Sequence, residues 1–170
     1  GLATRERMER TERKASETAQ LLGELRKAKY TPGIALNDWL EKHHQPEAQN
    51  GLSAVELLKR PEITLSALAE LSPEIRQFGK PAQEQAEISV KYEGYLERQE
   101  TLIRHARQME ETLLPEDLPY EEVTGLRIEA RQKLMKQRPR SLAAASRIPG
   151  VSPADVAVLM VFLEKHKGNA

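Results

Sequence analysis

The 170-residue chain has no cysteine, which excludes disulfides, thiolate nucleophiles and thiolate metal sites together and suits a reducing, cytoplasmic location. Long hydrophobic runs are missing as well. The longest, Val156 to Leu163, falls far short of the ~20 residues a spanning helix needs, and the charged start from Arg5 to Lys14 is unlike a signal peptide. No membrane association is expected. Net charge is absent too, since 26 Lys and Arg cancel 26 Asp and Glu, so whole-chain electrostatics name no partner. Neither a GxGxxG nor a Gly-Lys-Ser/Thr turn occurs, so nothing cradles a dinucleotide or nucleotide phosphate. The spacing of Ser, His and Asp suggests no catalytic arrangement, and the adjacent His43 and His44 project to different faces of a helix, unsuited to one metal. The chain alone is therefore expected to be non-enzymatic, free of cofactor and colourless. No alternating strand pattern is found either, which predicts an all-α fold.

What is present is helical. Ile88, Tyr92, Tyr95, Gln99, Leu102, Ala106, Met109 and Leu113 alternate spacings of four and three, predicting a heptad-like seam on one long spine helix over 81–113. Gly94 interrupts it at a cost of roughly 1 kcal/mol relative to Ala. Lys91 and Arg98 share its face, which makes a bare patch of backbone between two cations: either a helix crossing within the fold or a docking surface. The docking reading expects Gly94→Ala to leave this chain as stable or more so while weakening partner binding.

Before the spine, Leu2 to Lys29 reads as a very charged helix with a thin stripe of Met8, Ala15, Leu22 and Leu25. Thr31 and Pro32 predict a cap and first turn for a short helix through Trp39, a core anchor. Gln45 to Gly51 reads as a loop. Ser53 to Glu56 is a capping box with Leu52 and Leu57 as a staple; Thr64 repeats the arrangement with Ile63 and Leu68, and Ser72-Pro73 starts another turn. Residues 1–113 are expected to form one helical part and 114–170 a small helical subdomain with hairpin turns.

That last part repeats with a period of 25. Val123-Thr124-Gly125-Leu126 before Leu134 matches Ile148-Pro149-Gly150-Val151 before Leu159, each a turn feeding a helix. Ser152 caps the second helix, Pro153 takes its first position and Asp155 its third; Arg127 stands where the first helix wants a cap. The second turn resembles the helix-hairpin-helix of DNA-binding proteins, whose backbone N–H groups can meet a phosphate, although Ser152 stands where a second glycine is usual; Gly150 and Ser152 are candidate phosphate contacts. Charge is segregated here. Gln108 to Glu122 carries six acids and no base, and Leu126 to Arg147 carries seven bases against Glu129 alone. Within the basic block Lys133, Lys136, Arg138, Arg140 and Arg147 are candidates for backbone phosphate contact.

Ile88-Ser89-Val90-Lys91-Tyr92-Glu93-Gly94-Tyr95-Leu96-Glu97-Arg98-Gln99, with Leu118-Pro119-Tyr120, Arg138-Pro139 and Ala145-Ser146-Arg147-Ile148-Pro149-Gly150-Val151-Ser152-Pro153-Ala154, resembles the carboxy-terminal domain of the MnmG (GidA) family. Leu57-Leu58-Lys59-Arg60-Pro61 resembles it too. Arg127 replaces a Ser usual in the family, and Ala143-Ala144 replaces Gly-Gln. The resemblance implies a flavoprotein that, with the GTPase MnmE, installs an aminomethyl or carboxymethylaminomethyl group on C5 of the wobble uridine of certain tRNAs. It implies FAD and NADH in Rossmann-type domains lying before Gly1, a homodimeric full-length protein, and a helical carboxy-terminal part that docks MnmE and helps hold tRNA. Lys91, Tyr92, Gly94, Tyr95 and Arg98 are then the candidates for docking MnmE. The alternative is a free-standing nucleic-acid-binding protein using the two hairpins.

Overall fold

The structure, a computed structural model, describes residues 1–168. It is all-α apart from one two-residue pair of strands. In order come α1 (Leu2–Lys27), β1 (Lys29–Tyr30), α2 (Ile34–Lys42), β2 (Leu52–Ser53), α3 (Ala54–Leu58), α4 (Leu65–Leu68), α5 (Lys80–Glu111), α6 (Ile128–Gln137), α7 (Leu142–Ser146) and α8 (Pro153–Lys167). Single 3₁₀ turns lie at Pro73–Gln77 and Tyr120–Glu122. The chain forms two compact units, Gly1–Arg98 and Gln99–Ala170. Their boundary falls inside α5, whereas the sequence places it after the long helix. Each unit has its own core, and α5 contributes Ala86 and Val90 to the hydrophobic cluster of the first.

In the first unit, Leu21 and Leu25 of α1, Leu36, Trp39 and Leu40 of α2, and the buried faces of α3 and α4 make the core. Met8 and Ala15 are exposed, and Thr18, Leu21 and Leu25 are the buried face of α1. Helix α2 is capped by Gly33, not Thr31, because residues 29–30 are first drawn into antiparallel pairing, Lys29 opposite Ser53 and Tyr30 opposite Leu52. The helix can start only after Pro32. The Ser53 capping box forms as expected: the Glu56 N–H donates to Ser53 Oγ at 3.1 Å and the Ser53 N–H donates to Glu56 Oε2 at 2.6 Å. Thr64 accepts from the Ala67 N–H at 3.0 Å. Ser72 does not cap its turn; its hydroxyl shares a 2.5 Å hydrogen bond with that of Tyr30.

The heptad-like seam of α5 is not its buried face. In the first unit that face is Ala82, Ala86, Val90 and Gly94, four small residues at a constant spacing of four, while Ile88 and Tyr92 are 61% and 62% exposed. Small side chains let α5 lie close to its neighbours, and the large ones are left outside.

The second unit gathers Leu118, Tyr120, Leu126, Leu134, Leu142, Ile148, Val156 and Leu159 around one core. The period of 25 is structural. Gly125 and Gly150 have φ of 98° and 96°, the left-handed region that a side chain disfavours, and each turn feeds a longer helix, α6 or α8.

Candidate docking surfaces of the two units

Helix α3 is one and a half turns long and ends at Leu58, so its last carbonyls need donors from outside. Helix α5 supplies them. Lys91 Nζ donates to Leu58 O at 2.6 Å and also to Arg60 O and Ile63 O. Arg98 Nη1 donates to Lys59 O at 3.1 Å. Burial lowers the pKa of Lys91 while the charges of Glu87 and Glu62 pull it upward, and the three carbonyls take the place of water that the ammonium loses. Between the two cations lies Gly94. A Cβ there would stand 3.0 Å from Lys59 Cβ and 3.1 Å from Lys59 O. Lys59 is itself held, its Nζ 2.9 Å from Glu97 Oε1 and 3.6 Å from Glu93 Oε1.

These contacts separate the five docking candidates. Lys91, Gly94 and Arg98 are engaged with residues 58–63 of the same unit, and Tyr92 and Tyr95 lie on the exposed face of α5 with Ile88 and Leu96. They also reverse the expectation for Gly94→Ala. The added methyl gains roughly 1 kcal/mol of helix propensity, but overpacking against a carbonyl that Arg98 holds costs about 1–3 kcal/mol. The variant should unfold at lower urea than the parent chain, with a net loss of about 1 kcal/mol. An unchanged or higher midpoint would mean that Lys59 moves aside freely.

In the second unit the two turns are clasped by one carboxylate. Asp155 is 1% exposed. Its Oδ2 accepts from the Ser152 N–H at 2.9 Å, Ser152 Oγ at 2.8 Å, Arg127 Nε at 3.1 Å and Arg127 Nη2 at 3.0 Å, and its Oδ1 accepts from the Arg127 N–H at 3.3 Å. Burial alone would raise its pKa, but these hydrogen bonds from Ser152 and Arg127 outweigh it and hold the carboxyl well below the usual carboxylate range. Arg127 provides no side-chain cap for α6, as expected from the missing Ser. Asp155 does not replace that cap; from the other hairpin it takes up the N–H of Arg127 itself, while Arg127 Nη2 also reaches Gly150 O at 3.1 Å. The sequence alone places Asp155 at the third position of the helix; the Arg at the repeat position equivalent to Ser152 is the signal for its second role.

The RNA candidates divide in the same way. Arg138 ends α6 in the left-handed conformation, and its Nη1 donates to Leu118 O at 2.8 Å and Glu116 O at 3.2 Å with the guanidinium 5.2 Å from the Tyr120 ring centre. Arg147 pairs with Glu110. The Ser152 N–H is taken by Asp155, and a Glu129 oxygen lies 2.8 Å from where a Cβ on Gly150 would be. Lys133, Lys136 and Arg140 are exposed, and among the described residues their charged groups carry no ion pair or hydrogen bond.

Two helical units of this length, the second built from clasped hairpins, match in series the carboxy-terminal part of a class of tRNA-modifying enzymes. Residues 5–100 match the family described as the tRNA modifying enzyme MnmG/GidA C-terminal helical domain, and residues 102–170 match the MnmG/GidA C-terminal helical bundle. The chain belongs to the MnmG/GidA family, as its carboxy-terminal domain. It is 41% identical over 98% of its length to the tRNA uridine 5-carboxymethylaminomethyl modification enzyme MnmG of Alkaliphilus metalliredigens, covering 26% of that protein. It is 43% identical over 85% of its length to that of Syntrophobacter fumaroxidans, covering 23%. The chain thus spans about a quarter of the length of these relatives. The crystal structure of Aquifex aeolicus GidA in form II aligns over 93% of this chain and 24% of that one, at 25% identity with a TM-score of 0.38. Among the described residues no helix is long and apolar enough to cross a membrane.

Proposed function

We propose that this chain is the docking part of a cytoplasmic flavoprotein that modifies C5 of the tRNA wobble uridine, taking up the GTPase MnmE and helping to bind tRNA. The observation that carries the reading is the match along 98% of the chain to a tRNA uridine 5-carboxymethylaminomethyl modification enzyme. FAD and NADH belong to other domains of a homodimeric parent, because no residues here form a glycine-rich phosphate turn. Ile88, Tyr92, Tyr95 and Leu96 form the apolar surface offered to MnmE: aromatic residues left outside a fold suit an interface core. Lys133, Lys136 and Arg140 face tRNA phosphates, since cations with no internal partner can release counterions on contact. A free-standing helix-hairpin-helix protein is disfavoured by Glu129 beside Gly150 and by the Ser152 N–H already donated to Asp155. Reversing the three free cations in the full-length enzyme tests the reading, with tRNA affinity expected to fall.

A further inference from the structure

Helix α1 has a face whose character changes along its length. Leu25, Leu21 and Thr18 are its buried residues, and the same alternation of four and three continues toward the amino terminus through Lys14, Thr11 and Arg7, which places all six on one stripe. Where the stripe leaves the core it turns from apolar to cationic. Arg10, four before Lys14 and three after Arg7, widens it, and all three cations are exposed. Among the described residues their charged groups carry no ion pair or hydrogen bond, whereas Arg5 on the other side of the helix pairs with Glu9 at 3.7 Å. The positions three and four away from Arg7 are Ala3, Thr4, Arg10 and Thr11, with no acid. Glu17, three after Lys14, is already engaged, its Oε2 accepting from the Gly79 N–H at 3.0 Å. A groove of about 380 Å³ opens beside the stripe, with Arg10, Arg13 and Lys14 on one side and Gly79, Pro81 and Ala82 on the other.

We infer that this stripe binds the phosphate backbone of RNA, as a second contact surface, in the first unit, in addition to the cations of the second. The inference rests on the tRNA-binding reading above. An apolar partner laid on this face would strip water from three unpaired charges with nothing to replace it, and a second copy would bring the same sign of charge. Arg7 to Lys14 make a row about 10 Å long on one rigid helix, the shape of a strand backbone and not of a single anion. RNA offers such a row, one charge per nucleotide with no opposite charge between, and guanidinium groups take phosphate oxygens two at a time.

Equilibrium binding of tRNA to the 170-residue chain over a range of salt concentrations tests this. Arg7→Gln, Arg10→Gln and Lys14→Gln together remove the charge at exposed positions with a residue of similar helix propensity, so helical circular dichroism should be unaltered. Affinity at low salt is expected to fall on the order of tenfold or more, and the slope of log affinity against log salt to become shallower by about 2. Arg7→Lys with Arg10→Lys keeps the charge and should keep the wild-type slope. Lys133→Gln, Lys136→Gln and Arg140→Gln, combined and measured in parallel, separate the two surfaces. If that variant weakens binding and the α1 variant does not, the inference is overturned while the tRNA-binding reading stands, and the stripe is left to solvent or to an acidic protein. If the α1 variant alone weakens binding, the inference stands without the cations of the second unit. A wild-type chain that fails to bind tRNA even at low salt overturns both.

Discussion

Asp155→Asn is expected to destabilise the carboxy-terminal unit by about 2–3 kcal/mol, near the lower end of the cost of breaking a buried ion pair, because exposed Arg127 regains water. The amide keeps one accepting oxygen where the carboxylate has two, and turns an NH₂ group toward the N–H and O–H donors of Ser152 and Arg127. One of the two backbone N–H groups, that of Arg127 or that of Ser152, therefore loses its acceptor, although Ser152 Oγ still accepts the backbone N–H of position 155. For a unit of this size the unfolding midpoint should fall by roughly 10 °C or more. The pH dependence has a definite sign. Because hydrogen bonding holds the carboxyl below its ordinary range, its contribution is fully present above the unfolded value of about 3.9 and is lost as the pH falls below it. The wild-type chain should therefore lose more stability on acidification through that interval than the Asn variant. Parallel curves would show that the clasp carries no net energy.

Lys91→Met should have an effect of comparable size in the other unit. Methionine keeps most of the apolar stem and removes the ammonium that donates to Leu58 O, Arg60 O and Ile63 O. Arg60 O keeps the Ile63 N–H, so Leu58 O and Ile63 O are the carbonyls left without a donor; at about 1–3 kcal/mol each, moderated where water reaches them, a total of about 2–3 kcal/mol is expected in urea unfolding. Hydrogen exchange should quicken first at the amides of residues 59–63, where short-range bonds such as Ile63 N–H to Arg60 O depend on the pinned carbonyls. A midpoint unchanged from wild type, with those amides equally protected, would mean that Lys91 is a surface cation available to a partner after all.

The legible parts of the fold were those written locally. The Ser53 capping box, the Ser152 and Thr64 caps and the paired glycine turns each depend on residues a few positions apart, and the structure has each of them. The long helix was legible too, but not its orientation. Large residues at heptad spacing suggested a buried seam, whereas Ala82, Ala86, Val90 and Gly94 allow the closer approach and are buried instead. Pattern reading weights hydrophobic size, while a close helix crossing selects the absence of it. The roles of Lys91, Arg98 and Arg138 were hidden for a different reason: each caps carbonyls at least 20 positions away in sequence, and spacing along one helix carries no trace of such a partner. Seen in the sequence alone, a cation that caps a distant helix and one that awaits a phosphate are the same letter.

That distinction is also where the proposed docking function is most directly tested. The full-length enzyme would carry Lys133→Glu, Lys136→Glu and Arg140→Glu together, with Arg147→Glu as a separate control whose charge is already paired with Glu110. Equilibrium tRNA binding is then followed over a range of salt concentrations, with circular dichroism confirming the fold of each variant. The account predicts that the triple variant binds tRNA more weakly at low salt and that its slope of log affinity against log salt is shallower by about 2 to 3, one counterion's worth for each lost phosphate contact. The control should keep a slope close to that of wild type. A triple variant with unchanged affinity and unchanged slope would contradict the account, leaving Lys133, Lys136 and Arg140 as a solvated face.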